Sequence, residues 1–512
     1  MRALRVTMAP AEQSTPLMNP HPDLPPSTAT PALSGVSDGL LLFVKRECET
    51  CALITPLIAS LGIAALYVQD DPAVFAAFAP VDDTQLACSY RNKIDTVPTL
   101  IRMAGGRETA RAEGWVRDEW RALTGNATLG ADLPARRPGC GSMSHQPGVH
   151  EELVARFGDP GLASRKLMLG EWDDPIEACF ERGWSDGLPL VPPTDARILR
   201  MLAGSRRAPA EVIGQVPPNL ADCTVEKVAI NAVMAGCKPE YMPVLLAALE
   251  AALDPLFTMH GLLCTTCFSG PIIVVNGPIA KRIGMNWGIN ALGQGNRANA
   301  TIGRALQLII RNIGGGVPGV LDRATLGGPG KYSFCFAEDE SDAEWEPLAS
   351  ARAGIAKGRD AVTLFQGDGV QGFVDQRSRT PAQLTRSLAG SLLAVGNPKM
   401  CQSTNAMLVL APEHYAIYRD AGWDRRRIES ALHQAMLRPR ADVLQGAHGI
   451  GEGIAANYVT GRDDDLVPKF WDDGLLIVRA GGDAGLFSAI CAGWTGGRFR
   501  DQSRPVTREI GA

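Results

Sequence analysis

The fold of the N-terminal part of this chain is decided by one stretch of sequence, Leu40-Leu41-Leu42-Phe43-Val44-Lys45-Arg46-Glu47-Cys48-Glu49-Thr50-Cys51-Ala52-Leu53-Ile54-Thr55-Pro56. Its first five residues are apolar and of strand length, and a short polar turn that holds two cysteines follows them. Residues 52–61 are compatible with a helix, which Gly62 ends. The stretch therefore predicts a strand, a pair of cysteines and a helix in direct succession.

The sequence around this stretch predicts a small α/β sheet domain. Strands are expected at 40–44, 63–68 and 97–101, and the last of these turns at Gly105-Gly106 and returns towards Gly114. Short helices are expected at 73–78 and 115–123. An order of β-α-β-α-β-β-α over about 85 residues is that of a compact sheet domain with helices on its faces.

The cysteine pair has the spacing of a redox-active dithiol. Cys48 would lie just before a helix, where unpaired backbone N–H groups and the helix dipole stabilise a thiolate. Cys51, one turn later, would be the resolving thiol that attacks a mixed disulfide on Cys48. A structural zinc site would need a second pair of ligands nearby, and the sequence of this domain offers none. We therefore expect Cys48 and Cys51 to be catalytic.

Three motifs follow one another along this domain: Cys48-Glu49-Thr50-Cys51-Ala52-Leu53-Ile54-Thr55-Pro56, Val97-Pro98-Thr99 and Gly105-Gly106. They resemble the active-site segment, the cis-proline loop and the following hairpin of the thioredoxin family, over residues 39–125. The resemblance implies that Pro98 places backbone against the dithiol and helps to bind the substrate's extended chain. It also implies a thioredoxin-reductase-type electron donor or a low-molecular-weight thiol, with no cofactor required for the dithiol.

The sequence departs from the thioredoxin pattern at three places. Glu47 stands where the family has tryptophan, the residues between the cysteines are Glu-Thr rather than Gly-Pro, and Leu42 replaces a buried aspartate. The fold implied by the resemblance does not depend on these residues. The redox potential, the proton relay and the range of partners do depend on them, so the resemblance does not carry those properties over.

Residues 126–170 are expected to be an ordered but irregular connector. They contain Gly139-Cys140-Gly141-Ser142, a glycine-flanked turn preceded by Arg136 and Arg137, an arrangement that favours a thiolate. The turn is similar to the Cys-Gly-Ser-Cys or selenocysteine-Gly-Ser-Cys motif of an uncharacterised family related to selenoproteins, with Met143 at the fourth position. Cys140 is therefore a candidate client thiol of the dithiol, and a chance cysteine in a surface loop is the alternative.

Residues 171–512 predict a larger α/β domain, possibly of two lobes. Its opening segment, 183–194, is similar to the same uncharacterised family. Helix-like and strand-like stretches alternate along it, which is typical of α/β enzymes. The predicted helices are 225–234, 242–252, 299–312 and 381–393, and the predicted strands are 272–275, 362–365, 406–410 and 475–479.

The larger domain contains further candidate thiols. Cys264 and Cys267 form a second C-x-x-C pair, four residues after His260. This group is open to three interpretations: a second redox pair, part of a metal site, or small residues packed beside a sheet. Cys401 precedes a predicted strand. Cys264, Cys267 and Cys401 are, with Cys140, the candidate client thiols.

Two segments of the larger domain predict substrate binding. The turn at 183–194 is stiffened by prolines and is expected to present Trp184 and Asp186 to a pocket. The polar, glycine-rich stretch at 286–304 leads into a helix, where Arg297 and Arg304 are expected to hold an anionic group. The glycine-rich turn at 481–485 follows a predicted strand and is suited to line a cleft at the edge of a sheet.

Composition limits the classes of function. The net charge is −5 and no basic block occurs, so nucleic acid and anionic membranes are not expected partners. No run of roughly 20 apolar residues occurs that would predict a membrane span. Residues 1–38 are rich in Pro, Ser and Thr and are expected to be a disordered leader. Twelve cysteines in 512 residues are too dilute for a disulfide scaffold, which favours a cytoplasmic protein.

These observations favour one function and leave two alternatives. The first is a thiol–disulfide oxidoreductase whose N-terminal dithiol serves a cysteine-dependent reaction in the larger domain. The second is a metal-dependent hydrolase or lyase that uses His260, Cys264 and Cys267, with the thioredoxin-like unit as a docking or stability module. The third is a scaffold without catalysis. The sequence of the larger domain does not identify its substrate. For an α/β domain, a small molecule is one expected class of substrate.

Overall fold

A computed structural model describes residues 2–6, 35–496 and 503–511 of the chain, and it is a mixed α/β structure with several sheets. The chain divides into two compact units. The smaller unit contains residues 35–161 together with 195–200, and the larger contains 2–6, 162–194 and the described residues from 201 onwards.

The smaller unit is built from short elements. Strand β1 (Arg2–Val6) precedes them in the chain and belongs to the larger unit. The strands of the smaller unit are β2 (Gly39–Val44), β3 (Ile63–Val68), β4 (Val81–Asp82), β5 (Thr96–Val97), β6 (Thr99–Ala104), β7 (Arg107–Glu113), β8 (Trp115–Val116), β9 (Arg136–Arg137) and β10 (Cys140–Gly141). Its α-helices are α1 (Glu49–Ile54), α2 (Ala87–Arg91), α3 (Arg117–Thr124) and α4 (Val149–Phe157), and its 3-10 helices are Thr55–Ser60, Pro72–Phe78 and Met143–His145.

Five strands of the smaller unit form one sheet in the order β4-β3-β2-β6-β7. The three strands β2, β3 and β4 are parallel, and β6 and β7 join them antiparallel as a hairpin. Every residue from Leu40 to Val44 is buried, because β2 is the central strand and has packing on both faces. The predicted strands at 40–44 and 63–68 are confirmed, and the predicted helix at 52–61 is divided into α1 and a 3-10 turn.

The predicted connector is wrong for residues 126–161, which belong to the smaller unit. Strand β9 pairs with β8, and β10 pairs with β5, so this segment lies back along the unit rather than leading away from it. Helix α4 follows and contacts α2. The division between the units falls at residues 161–162. Its cause is backbone pairing between residues far apart in sequence, which composition does not reveal.

The larger unit contains most of the chain. Its remaining strands are β11 (Arg165–Leu169), β12 (Val212–Val216), β13 (Ala221–Thr224), β14 (Gly270–Asn276), β15 (Cys335–Ala337), β16 (Ala361–Val374), β17 (Thr404–Leu410), β18 (Arg438–Pro439), β19 (Leu466–Val467), β20 (Leu475–Arg479), β21 (Phe487–Trp494) and β22 (Val506–Glu509). Its helices are α5 (Pro175–Glu181), α7 (Val225–Ala235), α8 (Met242–Ala252), α9 (Met259–Cys264), α10 (Pro278–Arg282), α11 (Arg297–Asn312), α12 (Leu348–Ala353), α13 (Pro381–Leu393), α14 (Pro412–Arg419), α15 (Arg425–Ala435) and α16 (Arg440–Val443). Most of α6 (Asp195–Leu202) belongs to the smaller unit.

A seven-stranded mixed sheet is the centre of the larger unit. Its strands run in the order β15-β14-β16-β21-β17-β20, and β22 also pairs with β16. The 14-residue strand β16 connects the two halves, because its first half pairs with β14 and its second half pairs with β21. Helices α8 and α13 and strand β20 have the predicted bounds, and the predicted strands at 272–275 and 406–410 lie within β14 and β17.

The chain start differs from the predicted disordered leader. Residues Arg2–Val6 form β1, which pairs antiparallel with β11 over five residues. The segment Arg2-Ala3-Leu4-Arg5-Val6 has no strict alternation of polar and apolar residues, so its sequence alone does not indicate a strand. The part of the predicted leader at 7–34 lies outside the described residues.

Helix length bears on membrane insertion. Among the residues that the structure describes, no single helix is long and apolar enough to cross a membrane. Residues 239–252 and 255–264 meet the length and composition requirement only as a pair, with a bend of 69° between them. Nine of the eleven residues of α8 are buried in the protein, as expected of a core helix.

Candidate active site

Cys48 is the residue that caps the N-terminus of α1. Its backbone is extended (φ −147°, ψ 114°), and its sulfur accepts a hydrogen bond from the backbone N–H of Cys51 at 3.3 Å. The first turn of a helix has N–H groups without intrahelical partners, and a negative charge at this end interacts favourably with the helix dipole. The local sequence therefore places the Cys48 sulfur where a thiolate is stabilised, as predicted from the Cys48–Cys51 spacing.

The two cysteines of this pair have opposite acidities. Hydrogen bonding from the Cys51 thiol, and then from the Cys140 thiol, lowers the pKa of Cys48 to about 5, although burial opposes this shift. Burial, followed by the neighbouring Cys48, raises the pKa of Cys51 well above that of an ordinary thiol. Cys51 is fully buried and Cys48 is 4% exposed. Cys48 is thus suited to act as the nucleophile, while Cys51 stays protonated and donates to it.

The loop before β6 lies against the dithiol. The Val97–Pro98 peptide bond is cis. The protonated Cys48 thiol donates to the Val97 carbonyl at 3.4 Å, and the Pro98 carbonyl accepts a hydrogen bond from the Gly114 N–H at 2.8 Å. The predicted site residues Cys48, Cys51 and Pro98 are therefore contributed by two neighbouring loops at one end of the sheet.

Cys140 lies at the same site. Strand β10 pairs antiparallel with β5, and Cys140 is directly opposite Val97. Burial, and then the neighbouring Cys48, raises the pKa of Cys140. Cys140 is half-buried and packs against the core cluster that contains both Cys48 and Cys51. Of the four candidate client thiols, Cys140 is the one in contact with the dithiol.

Side chains near the dithiol hold the segment around Cys140 in place. The Thr50 hydroxyl, between the two cysteines, donates to the Pro138 carbonyl at 2.6 Å. The Lys45 ammonium donates to the Gly141 carbonyl at 2.7 Å. The carbonyls on both sides of Cys140 are thus bonded to residues that flank the dithiol, which limits the motion of its sulfur relative to Cys48.

Two glycines permit the close approach of these segments. A Cβ atom on Gly139 would lie 2.3 Å from the Thr96 Cγ2 atom and 2.7 Å from the Val97 carbonyl oxygen. Gly114 has a φ of +70°, and a Cβ atom there would lie 2.7 Å from the Gly139 nitrogen. Both positions require glycine because backbone lies where a side chain would start.

A buried polar network anchors the chain on the far side of Cys140. The Gln69 amide donates to the hydroxyls of Ser89 at 2.8 Å and of Ser142 at 2.7 Å, and it accepts from the Met143 N–H at 3.1 Å. Ser144 continues the network by donating to the Ile94 carbonyl at 2.8 Å. Because buried polar groups are costly to leave unpaired, this network fixes the course of residues 142–144.

The predicted role of the nearby arginines in stabilising a Cys140 thiolate receives no support. Arg137 forms an ion pair with Glu49, in which the Arg137 side chain is 41% exposed and the Glu49 side chain is 84% exposed. Its charge is therefore engaged at the surface beside α1. The acidity of the site is set by thiol-to-thiol and N–H-to-sulfur hydrogen bonds around Cys48 instead.

The second C-x-x-C pair has different surroundings. Cys264 is the last residue of α9, where the helix dipole disfavours a thiolate, and Cys267 lies in the turn before β14. Cys264, Cys267 and the nearby His260 are all exposed. In the described residues (2–6, 35–496 and 503–511), no three His, Cys, Asp or Glu side chains are grouped so that they could hold a metal ion.

Cys401 is buried rather than accessible. It is 2% exposed and packs in a small cluster with Val443, Ile454 and Val467. Burial raises its pKa. A thiol that is covered and protonated in this way is poorly suited to exchange with an external disulfide, so the geometry does not favour Cys401 as a client.

The predicted substrate-binding residues of the larger unit pair with one another or with backbone. Trp184 is 4% exposed, so it belongs to the core and does not face a pocket. Asp186 and Arg304 form a two-contact ion pair, both N···O distances being 2.8 Å. Arg304 also donates to the Leu188 and Pro189 carbonyls at 3.1 Å. Arg297 donates to the Gly236 carbonyl at 2.9 Å.

The contacts of Asp186 and Arg304 bind the turn at 183–190 to α11. Burial raises the pKa of Asp186, but the Arg304 guanidinium outweighs it, and the net pKa is lowered. The expected anion would have to displace Asp186 from Arg304. We therefore correct the role of this pair from substrate binding to positioning of the turn.

Two glycine-rich segments flagged by the sequence do meet at a cavity. It has a volume of about 580 Å³ and is lined by residues 289–293 from one segment and 481–484 from the other. The Gly481 N–H donates to the Trp287 carbonyl at 2.8 Å, which joins the segments. Asp483 is the ionisable residue of the lining. Apolar side chains, such as Ile289, Val409 and Phe487, form much of the rest. This lining suits an apolar group and does not suit the anion that we expected.

Sequence reasoning missed Gln69, Lys45 and Thr50, which support the site. Their roles depend on contacts across the fold, and single polar residues carry no distinguishing local pattern. The cysteine at 140 had a usable signal, because its flanking glycines indicate close approach of backbone. Comparison of the chain with protein-family models, with curated proteins and with solved structures finds no match.

Proposed function

We propose that this chain is a thiol–disulfide oxidoreductase whose smaller unit is a thioredoxin-like domain with Cys48 as the nucleophile and Cys51 as the resolving thiol. The observation that carries the proposal is the hydrogen bond of 3.3 Å from the Cys51 N–H to the Cys48 sulfur at the start of α1. A sulfur in that position is stabilised as the thiolate, which is the reactive form in disulfide exchange.

Support for the thioredoxin-like assignment comes from the arrangement of the sheet and the loops. The strand order β4-β3-β2-β6-β7 has the dithiol after its central strand, and the cis Val97–Pro98 bond is beside the dithiol. These features agree with what the sequence motifs imply. The residues between the cysteines are Glu and Thr, and Leu42 takes the place of an aspartate. The redox potential therefore does not follow from the resemblance and is a quantity to measure.

The reaction that we propose has two steps. The Cys48 thiolate attacks one sulfur of a substrate disulfide, which forms a mixed disulfide and releases the other sulfur as a thiolate. Cys51 then attacks the Cys48 sulfur, and its proton passes to the second substrate sulfur as that sulfur leaves. The protein ends with a Cys48–Cys51 disulfide and the substrate ends as two thiols. A low-molecular-weight thiol or a reductase of the thioredoxin-reductase type would restore the dithiol.

The larger unit is proposed to supply the cysteine-dependent reaction that the dithiol serves. Of the candidate client thiols in the larger unit, Cys264 and Cys267 are exposed and Cys401 is buried. The proposed compartment is a reducing one, the cytoplasm, in which cysteines outside a redox site stay as free thiols, and all twelve cysteines are free thiols in this structure. The cavity beside Asp483 is the proposed place for a small-molecule substrate of this unit.

The test is reduction of a protein disulfide such as insulin by dithiothreitol, with the full chain as catalyst. We expect Cys48→Ser to abolish the catalysis and Cys51→Ser to reduce it to slow turnover. Cys88→Ser is the matched control, because Cys88 is half-buried, packs against the same core and has burial as the main cause of its raised pKa. Equal rates for the wild type and Cys48→Ser would contradict the proposal.

A further inference from the structure

We propose that Cys140 is a third redox-active thiol of this site, which forms an alternative disulfide with Cys48 and passes electrons between an external thiol and the buried Cys51. The proposal deepens the oxidoreductase function and rests on it. It gives Cys140, which lies outside the C-x-x-C motif, a covalent role in the same reaction.

The first observation is the position of Cys140 in a defined backbone ladder. Cys140 is opposite Val97 in the pairing of β10 with β5, and the Val97 carbonyl also receives the Cys48 thiol hydrogen bond. Both sulfur atoms therefore belong to one small group around Val97. Cys140 also packs against the core cluster that contains Cys48 and Cys51.

The second observation is that the surrounding residues hold Cys140 at this place. The carbonyls of Pro138 and Gly141 accept hydrogen bonds from Thr50 and Lys45, and Gly139 leaves no room for a side chain against Val97. A chance surface cysteine would not need contacts on both sides to side chains that flank the dithiol. Fixed proximity of this kind gives a high effective concentration for disulfide exchange.

The third observation is a difference in access. Cys51 is fully buried and Cys48 is 4% exposed, whereas Cys140 is half-buried. A small external thiol therefore reaches Cys140 more readily than it reaches either sulfur of a Cys48–Cys51 disulfide. This arrangement gives the three thiols separate roles: Cys48 is shared, Cys51 is internal, and Cys140 faces the outside.

The relay balances as two exchange reactions. After the substrate has been reduced, the Cys140 sulfur, as a thiolate, attacks the Cys48 sulfur of the Cys48–Cys51 disulfide. The Cys48–Cys51 bond breaks, the Cys48–Cys140 bond forms, and the Cys51 sulfur takes up the proton that Cys140 lost. A low-molecular-weight thiolate then attacks the Cys140 sulfur and releases Cys48 as a thiolate. A second molecule of that thiol frees Cys140 and leaves as the oxidised small disulfide.

The experiment uses the full chain with Cys51 replaced, treated with oxidised glutathione and mapped by mass spectrometry without reduction. In Cys51→Ser we expect a Cys48–Cys140 disulfide. In the double variant Cys51→Ser/Cys140→Ser we expect glutathione to remain attached to Cys48, with about tenfold or more of this adduct than in the single variant. Cys51→Ala repeats the measurement with a side chain that adds no hydroxyl to the buried position, and Cys88→Ser is the control for loss of a thiol.

The outcomes separate the two proposals. Equal and persistent glutathione adducts on Cys48 in the single and double variants would overturn the role of Cys140 and leave the oxidoreductase proposal standing. A Cys48 that takes no glutathione in any variant would overturn the oxidoreductase proposal itself. A Cys48–Cys140 disulfide in Cys51→Ser and in Cys51→Ala, absent after Cys140→Ser, supports both.

Discussion

Cys140 is the antiparallel ladder partner of Val97, the residue that precedes the cis proline at 98. This single pairing brings a turn from the far end of the smaller unit against the start of α1. Its consequence is a site with three thiols, in which the pKa of Cys48 depends on residues from two separate segments, at Cys51 and at Cys140. Each of the following predictions disturbs one part of that arrangement or of the larger unit.

The first prediction concerns the pH dependence of Cys48. Its pKa is lowered to about 5, so the rate of alkylation by iodoacetamide should rise through about pH 5 and then stay level, because the thiolate is fully formed above that pH. In Cys51→Ser the side chain that donates to the Cys48 sulfur changes from a thiol to a hydroxyl. We therefore expect the pH midpoint of Cys48 alkylation to differ from that of the wild type. The measurement is the alkylation rate of Cys48 against pH, read by peptide mapping. A Cys48 rate still rising where ordinary thiols ionise would contradict the prediction.

The second prediction tests the close approach of Gly139 to Val97. In Gly139→Ala the new Cβ would be 2.7 Å from a carbonyl oxygen, so β10 has to move away from β5. We expect a loss of about 1–3 kcal/mol in the free energy of unfolding. We also expect a higher pKa for Cys48, because the Cys140 thiol moves away. Chemical unfolding and the alkylation profile measure these two effects.

Gly141→Ala is the matched control for that substitution. A Cβ atom at Gly141 would meet nothing within 4 Å, and its φ is not in the left-handed region. We expect stability within about 0.5 kcal/mol of the wild type and an unchanged Cys48 profile. If both alanine variants behaved alike, packing at Gly139 would not be what positions Cys140.

The third prediction concerns the buried amide of Gln69. Gln69→Leu removes the partner of the Met143 N–H, and a buried group left unpaired costs about 1–3 kcal/mol. It also removes one hydrogen bond each from the Ser89 and Ser142 hydroxyls, which keep Asp83 and Ser144 as partners. We expect lower unfolding free energy and faster hydrogen exchange at residues 142–144. Gln85→Ala is the control, since Gln85 is exposed and its amide oxygen accepts a hydrogen bond from Arg156 at the surface. Unchanged exchange in Gln69→Leu would contradict the prediction.

The fourth prediction addresses the ion pair of Asp186 with Arg304. Arg304→Ala leaves a largely buried carboxylate without its partner, so we expect the larger unit to lose about 3 kcal/mol of unfolding free energy. Arg297→Ala is the control, because Arg297 is exposed and makes one contact to a carbonyl. Equal stability of the two variants would show that the ion pair does not hold the turn.

The same pair predicts a pH effect with a definite sign. The folded-state pKa of Asp186 is below the unfolded value, so its contribution is present above the ordinary carboxyl range. That contribution is lost as the pH falls through the lowered folded-state pKa. Asp186→Asn should remove this part of the acid sensitivity, measured as the difference in unfolding free energy between neutral and acidic buffers. A full acid response in Asp186→Asn would assign the effect to other groups.

Sequence alone predicted the local elements well where the pattern was continuous. The bounds of α8, α13, β3 and β20 agree with the prediction, because helix and strand periods and the residues that end them act over a few neighbours. The same locality explains the Cys48 site. The sulfur, the helix start and the resolving thiol all come from one short segment, so their relationship follows from spacing.

The tertiary structure alone decided what surrounds that segment. Lys45 and Gly141 are 96 positions apart, and no local pattern states that they meet. The role of Cys140, the burial of Trp184, the pairing of Asp186 with Arg304 and the apolar lining at Asp483 all depend on such distant contacts. The sequence by itself therefore determined a cysteine sulfur at a helix start. The tertiary fold decided which thiols and charges reach their partners, because long-range packing and backbone pairing set those distances.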